Sequence, residues 1–99
     1  MTKKEQLMEI ITNTINKSTN AITDSAYLAV AIETRGSMGI EIIVNPKYNL
    51  EIKKAYYDKS YNDELVLNTY DGIKIVSACL MDKNTNVGDI AKALKERFV

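Results

Sequence analysis

Apolar positions along the chain follow two periods, and the switches between them mark the elements. Over residues 2 to 17, Leu7, Met8, Ile11 and Ile15 recur at helical spacing with Ile10 at the edge of their stripe. Lys3, Glu9, Asn13 and Asn16 occupy the remainder. Thr2 and Glu5 have the spacing of a capping box, in which each side chain satisfies a backbone N–H left unpaired at a helix start. Lys17-Ser18-Thr19-Asn20 then supplies turn-forming residues. From 26 to 34 the period drops to two, with Leu28, Val30 and Ile32 on one face and Tyr27, Ala29, Ala31 and Glu33 on the other, which predicts a half-buried strand. Residues 38 to 45 alternate again, and the pattern predicts Met38, Ile40, Ile42 and Val44 inward and Glu41 outward. Arg35-Gly36-Ser37 between the two runs predicts a β-hairpin. Pro46, which cannot donate to a ladder, ends the second strand.

A second helix is expected from about 49 to 61. Asn45-Pro46 reads as an N-cap followed by proline at the first helical position, whereas Asn49 would cap a later start. Ile52, Ala55 and Tyr56 form one stripe of this helix, and Leu50, Tyr57 and Tyr61 form another beside it. Residues 63 to 72 admit two readings: a hairpin turning at Asp71-Gly72, or a helix that continues to about Leu67. The helical spacing of Tyr57, Tyr61 and Leu65 favours the second. Residues 73 to 81 carry Ile73, Ile75 and Cys79 on one face and Val76, Ala78 and Leu80 on the other, which predicts a central strand covered on both sides. Asn86 and Asp89 then open an amphipathic helix with Val87, Ile90, Ala91, Leu94 and Phe98 as its apolar face. The order α-β-β-α-β-α predicts an α+β fold, a small mostly antiparallel sheet packed by three helices, in one domain of 99 residues.

Composition narrows the chemistry. Hydrophobic residues make up 45% and charged residues 26%, which suits a folded domain rather than a disordered one. Thirteen basic residues balance 13 acidic ones, so the basic excess that drives general binding to nucleic acid or anionic membranes is missing. There is no histidine, which removes the commonest general base and metal ligand. Cys79 is the one cysteine and lies among apolar neighbours, where a buried inert thiol is expected. No apolar run approaches the ~18 residues of a membrane span, and Met1-Thr2-Lys3-Lys4-Glu5 lacks the apolar core of a signal peptide. The expected location is the cytoplasm.

Candidate catalytic sets are sparse. The four glycines are too scattered for a phosphate loop, and Arg35-Gly36-Ser37-Met38-Gly39 is the nearest approach to an anion nest. Asp58, Asp63, Glu64 and Asp71 lack the spacing of a calcium loop, so neither a metal nor another cofactor is expected. Hydrolase arrangements need a base that this chain does not offer, and the expectation is a protein without enzymatic activity.

The tyrosines stand out. Four of the six, Tyr48, Tyr56, Tyr57 and Tyr61, fall within fourteen residues, interleaved with Lys47, Lys53, Lys54 and Lys59. Tyrosines beside cations suit protein interfaces, since each contributes a large contact area and a polar tip at small entropic cost. Core packing under the sheet is the plainer role for any one of them. The expected binding residues are Arg35, Lys53, Lys54, Tyr56, Tyr57 and Tyr61, in a homo-oligomeric binding module with a protein partner. A second reading is a small anionic ligand or nucleotide gripped by Arg35 and the helix start near Asn45, with tyrosines stacked on its ring. Single-stranded nucleic acid ranks third, because Lys47, Lys53, Lys54 and Lys59 against Glu51 and Asp58 leave only +2, and Asp63, Glu64 and Asp71 follow at once.

Asn45-Pro46-Lys47-Tyr48-Asn49, Lys53, Tyr56-Tyr57-Asp58-Lys59, Tyr61-Asn62-Asp63-Glu64-Leu65 and Gly72-Ile73-Lys74-Ile75 together resemble a pattern in small uncharacterised proteins of phages and prophages of low-GC Gram-positive bacteria. The resemblance covers about residues 40 to 76 and carries no catalytic residues over. It implies an accessory protein of a mobile element, for which binding and inhibiting a host component is a common role.

Overall fold

The computed structural model describes residues 1–19, 21, 25–44 and 46–99. Helix α1 (Lys3–Asn16) starts as its capping box dictates. The Glu5 N–H donates to Thr2 Oγ1 at 3.0 Å, and the Thr2 N–H donates to Glu5 Oε1 at 2.8 Å. Strands β1 (Tyr27–Thr34) and β2 (Ser37–Ile42) form the expected hairpin. Its two-residue loop has positive φ at both Arg35 (50°) and Gly36 (84°), the geometry whose twist matches the flanking strands. Helix α2 spans Pro46–Ser60, so proline occupies its first position; the capping role expected of Asn45 lies outside the described residues. Strand β3 (Ile73–Met81) and helix α3 (Val87–Leu94) follow, the latter with a second capping box between Asn86 and Asp89.

The sheet is antiparallel with order β2-β1-β3, so the fold is α+β in the order α-β-β-α-β-α. Four details differ from the sequence-based expectation. First, β1 and not β3 is the middle strand. Strand β3 nevertheless carries apolar residues on both faces, because α1 and α2 pack on one side of it and α3 on the other.

Second, strict alternation along β3 fails at Val76. The register jumps from Ala31↔Ser77 to Ile32↔Ile75, leaving Val76 as an extra residue. That bulge exchanges the faces beyond it. Ile73, Ile75 and Ala78 join the core with α1 and α2, whereas Val76, Cys79 and Met81 pack toward α3.

Third, the helix does not run on to Leu67. Asn62 stops it, with its Oδ1 accepting the N–H groups of Glu64 and Val66, both at 3.0 Å. Leu65 turns through φ 60° with its side chain fully buried, and the chain then bridges Val66 to Lys74.

Fourth, β2 is turned over relative to the expected arrangement. The main core gathers Leu28 and Val30 of β1, Ile43, Ile75 of β3, Leu7 and Ile11 of α1, and Leu50, Tyr57 and Tyr61 from α2 and its end. Glu41 pairs with Val30 and so faces this core side. Met38, Ile40 and Ile42 pair with Glu33, Ala31 and Ala29 and face the other way, where α3 covers β1 and β3 but stops short of β2. Alternation specifies which residues share a face; where the helices land decides which face is buried.

Candidate functional site

The tyrosine-rich helix divides as its two stripes suggest. Leu50, Tyr57 and Tyr61 turn inward, and Tyr57 and Tyr61 are only 1% and 4% exposed. The ring of Tyr57 lies 5.8 Å from that of Tyr61 and 5.7 Å from that of Tyr56, in tilted and edge-on arrangements that aromatic quadrupoles favour. The Tyr57 hydroxyl donates to Glu41 Oε1 at 2.8 Å, so the only charged side chain of β2 ties the strand to the helix beneath it. Lys53 Nζ sits 3.0 Å from the same carboxylate oxygen and within 6 Å of the rings of both Tyr56 and Tyr57. Burial, and then the Glu41 carboxylate, push the Tyr57 phenol far above its ordinary range; burial likewise raises Tyr61. Tyr57 is thus held protonated as a hydrogen-bond donor. The arrangement is a clamp joining α2 to β2.

Tyr57 and Tyr61 therefore belong to the core and do not form part of a contact surface. What α2 turns outward is Tyr48, Ile52 and Tyr56, spaced four residues apart along one stripe and 46–65% exposed. Ile52 borders the end of β2: a depression of about 270 Å³ runs between them, lined by Glu41, Ile42, Val44, Asn49, Ile52 and Lys53. On the strand's opposite face a second groove, about 320 Å³, has Ala31, Met38 and Ile40 as floor and Ala91 and Leu94 of α3 with the following Lys95 as wall. Between the two grooves stands β2, with Met38, Ile40, Ile42 and the following Val44 each 46–57% exposed. Four large apolar side chains in a row at half exposure form a contiguous patch of the kind that marks interaction sites.

Arg35 is elsewhere. It sits at the hairpin tip with its guanidinium 5.3 Å from the centre of the Tyr70 ring and its Nε donating to the Tyr70 hydroxyl. Its backbone N–H donates to Gly72 O at 3.0 Å. The tip and the start of α2 lie at opposite ends of β2, a strand about 20 Å long, so Arg35 does not share a site with the residues near position 45. Lys54 is half-buried on α2, one residue beyond the Lys53–Glu41 pair.

Sequence reasoning passed over Met38, Ile40, Ile42 and Val44 as contact residues because it expected them inside. A signal was present. A two-residue turn at Arg35-Gly36 pairs Ile40 with Ala31 and Ile42 with Ala29, which puts the β2 apolar row beside the small residues of β1 and leaves Leu28 and Val30 to define the core face.

Among the described residues, no cluster of His, Cys, Asp or Glu has metal-binding geometry, and no helix is long and apolar enough to cross a membrane. The lone thiol of Cys79 is half-buried, and burial pushes its pKa up, away from thiolate reactivity. No protein-family model matches this chain, and no curated protein or solved structure matches it either.

Proposed function

We propose that the protein is a non-enzymatic binding module whose contact surface is edge strand β2 with the outward stripe of α2. The observation that carries this reading is the half-exposed row Met38, Ile40, Ile42 and Val44 on a strand with one unpaired edge. Tyr56 and Tyr48 beside it contribute the amphipathic aromatic area that protein interfaces favour. Lys53 borders the surface, and Tyr57, Tyr61 and Glu41 set its shape from beneath. Such a surface suits strand addition, in which main-chain hydrogen bonds supply affinity and alternate side chains fill the groove on either face. The proposed setting is that of a mobile-element accessory protein acting on a protein target in the cytoplasm.

The test replaces Tyr56 with a photo-reactive residue and cross-links the full chain in cells. A defined protein adduct should form, Ile42→Lys should abolish it, and Val87→Lys on the distant start of α3 should leave it unchanged. No adduct, or one indifferent to Ile42→Lys, refutes the assignment of this surface.

A further inference from the structure

The two edges of the sheet differ. Over its first half, residues 73 to 76, the outer edge of β3 is occupied by the chain itself: the Leu67 N–H donates to Ile73 O at 2.9 Å, the Ile75 N–H to Leu65 O at 3.0 Å and the Phe98 N–H to Val76 O at 2.9 Å. Among the described residues, nothing pairs with the outer edge of β2. The strand SMGIEI has no Lys, no Pro and an unbroken register with β1, and its one charge, Glu41, is held on the core side by Tyr57 and Lys53.

Parity decides which backbone groups that edge presents. The two-residue loop closes on Thr34↔Ser37, and beyond the strand the Ile43 N–H donates to Leu28 O at 3.1 Å. Ser37, Gly39 and Glu41 therefore bond inward to β1, while Met38, Ile40 and Ile42 direct their N–H and C=O groups outward.

We propose that this edge pairs with β2 of a second copy of the chain, antiparallel about a two-fold axis through Ile40, merging two sheets into one of six strands. The inference rests on the binding reading above and names its partner. In this register Met38 of one copy lies opposite Ile42 of the other and Ile40 opposite Ile40. All three outward-bonding residues are paired, and six apolar side chains share one face. On the other face Glu41 lies opposite Gly39, so neither carboxylate meets its twin. Moving the axis to Glu41 sets the two carboxylates side by side, and moving it to Gly39 leaves Ile42 opposite the turn residue Gly36.

Charge permits this contact. Each Glu41 arrives already paired with Lys53, and the formal net charge of zero leaves no long-range repulsion between copies. Stable dimers bury about 800 Å² per partner, more than a six-residue strand alone supplies. The α2 stripe of Tyr48, Ile52 and Tyr56 continues the surface along one flank of the seam, and the wall made by Ala91 of α3 and the following Lys95 bounds it on the other. One patch meeting itself is the isologous contact that a closed dimer requires.

Native mass spectrometry, light scattering and amide hydrogen exchange on the full chain test the proposal with two variants. Ile40→Pro removes the outward N–H at the axis without touching the β1 ladder; Ile40→Lys keeps that N–H and sets two ammonium groups against each other. The wild type should be a two-chain species whose amides at Met38, Ile40 and Ile42 gain protection with concentration. Both variants should be single chains with the wild-type circular dichroism spectrum. If Ile40→Pro fails to fold, Ile40→Lys and the amide protection decide. A wild type that stays single-chain at every soluble concentration, or a dimer that persists in a folded variant, overturns the proposal. A single-chain protein that still forms an Ile42→Lys-sensitive adduct overturns only the second-copy partner; one that forms none refutes the binding surface as well.

Discussion

At the scale of single residues, Tyr57 carries the most consequence. Its ring fills the core between α2 and the sheet while its hydroxyl satisfies Glu41, so it combines apolar burial with a charge-assisted hydrogen bond. Removing only the hydroxyl in Tyr57→Phe should lower unfolding stability by about 1–2 kcal/mol in urea titrations. It should also change the pH profile, and the sign follows from linkage. The folded state holds the phenol protonated while the unfolded chain ionises it near pH ~10. The group's contribution is therefore complete below that pH and is lost progressively above it. Wild-type stability should fall more steeply above pH ~10 than that of Tyr57→Phe. Equal alkaline slopes would show that Tyr57 ionises alike in both states.

The hairpin is the element on which the site depends, because its turn sets the register that presents Met38, Ile40 and Ile42 outward. Gly36 sits at φ 84° with open space where a Cβ would project. Gly36→Ala therefore pays only the left-handed backbone cost, about 1 kcal/mol, and denaturant midpoints should show it without a change in slope. A change in slope would mean that the turn had reorganised. The hairpin, the Thr2–Glu5 capping box and the Asn86 N-cap were legible in the sequence because they depend on residues within a few positions of one another. The end of α2 was not. Apolar spacing carried the helix on past Tyr61, but Asn62 captures two backbone N–H groups, and Leu65 and Leu67 bond to β3 from the far side of the turn. Those partners are visible only once β3 is in place.

For the whole molecule, the decisive feature is a sheet covered by α1 and α2 on one face and by α3 on the other over β1 and β3, while every residue of β2 except the half-buried Glu41 stays exposed. This asymmetry makes a sharp contrast between residues that look alike in sequence. Leu28→Ala, on the covered face, should cost about 2–5 kcal/mol. In the single-chain protein Ile42→Ala, on the open face, should stay within about 1 kcal/mol, close to the surface norm. Comparable losses at both positions would place Ile42 in the core. The same asymmetry separates the expected binding residues: Tyr56 remains at the surface, Tyr57 and Tyr61 become its foundation, and Arg35 is committed to Tyr70 at the far end of the hairpin.

Element type, element order and the pairing of β1 with β2 follow from local periodicity, caps and turn chemistry, which act over a few residues and are written in the chain. The middle position of β1, the Val76 bulge that exchanges faces along β3, and the outward display of Met38, Ile40 and Ile42 do not. They depend on where three helices settle against three strands, a choice made by the combined burial of residues far apart in sequence. An alternating strand carries two candidate faces, and only the packed molecule selects the one that meets water.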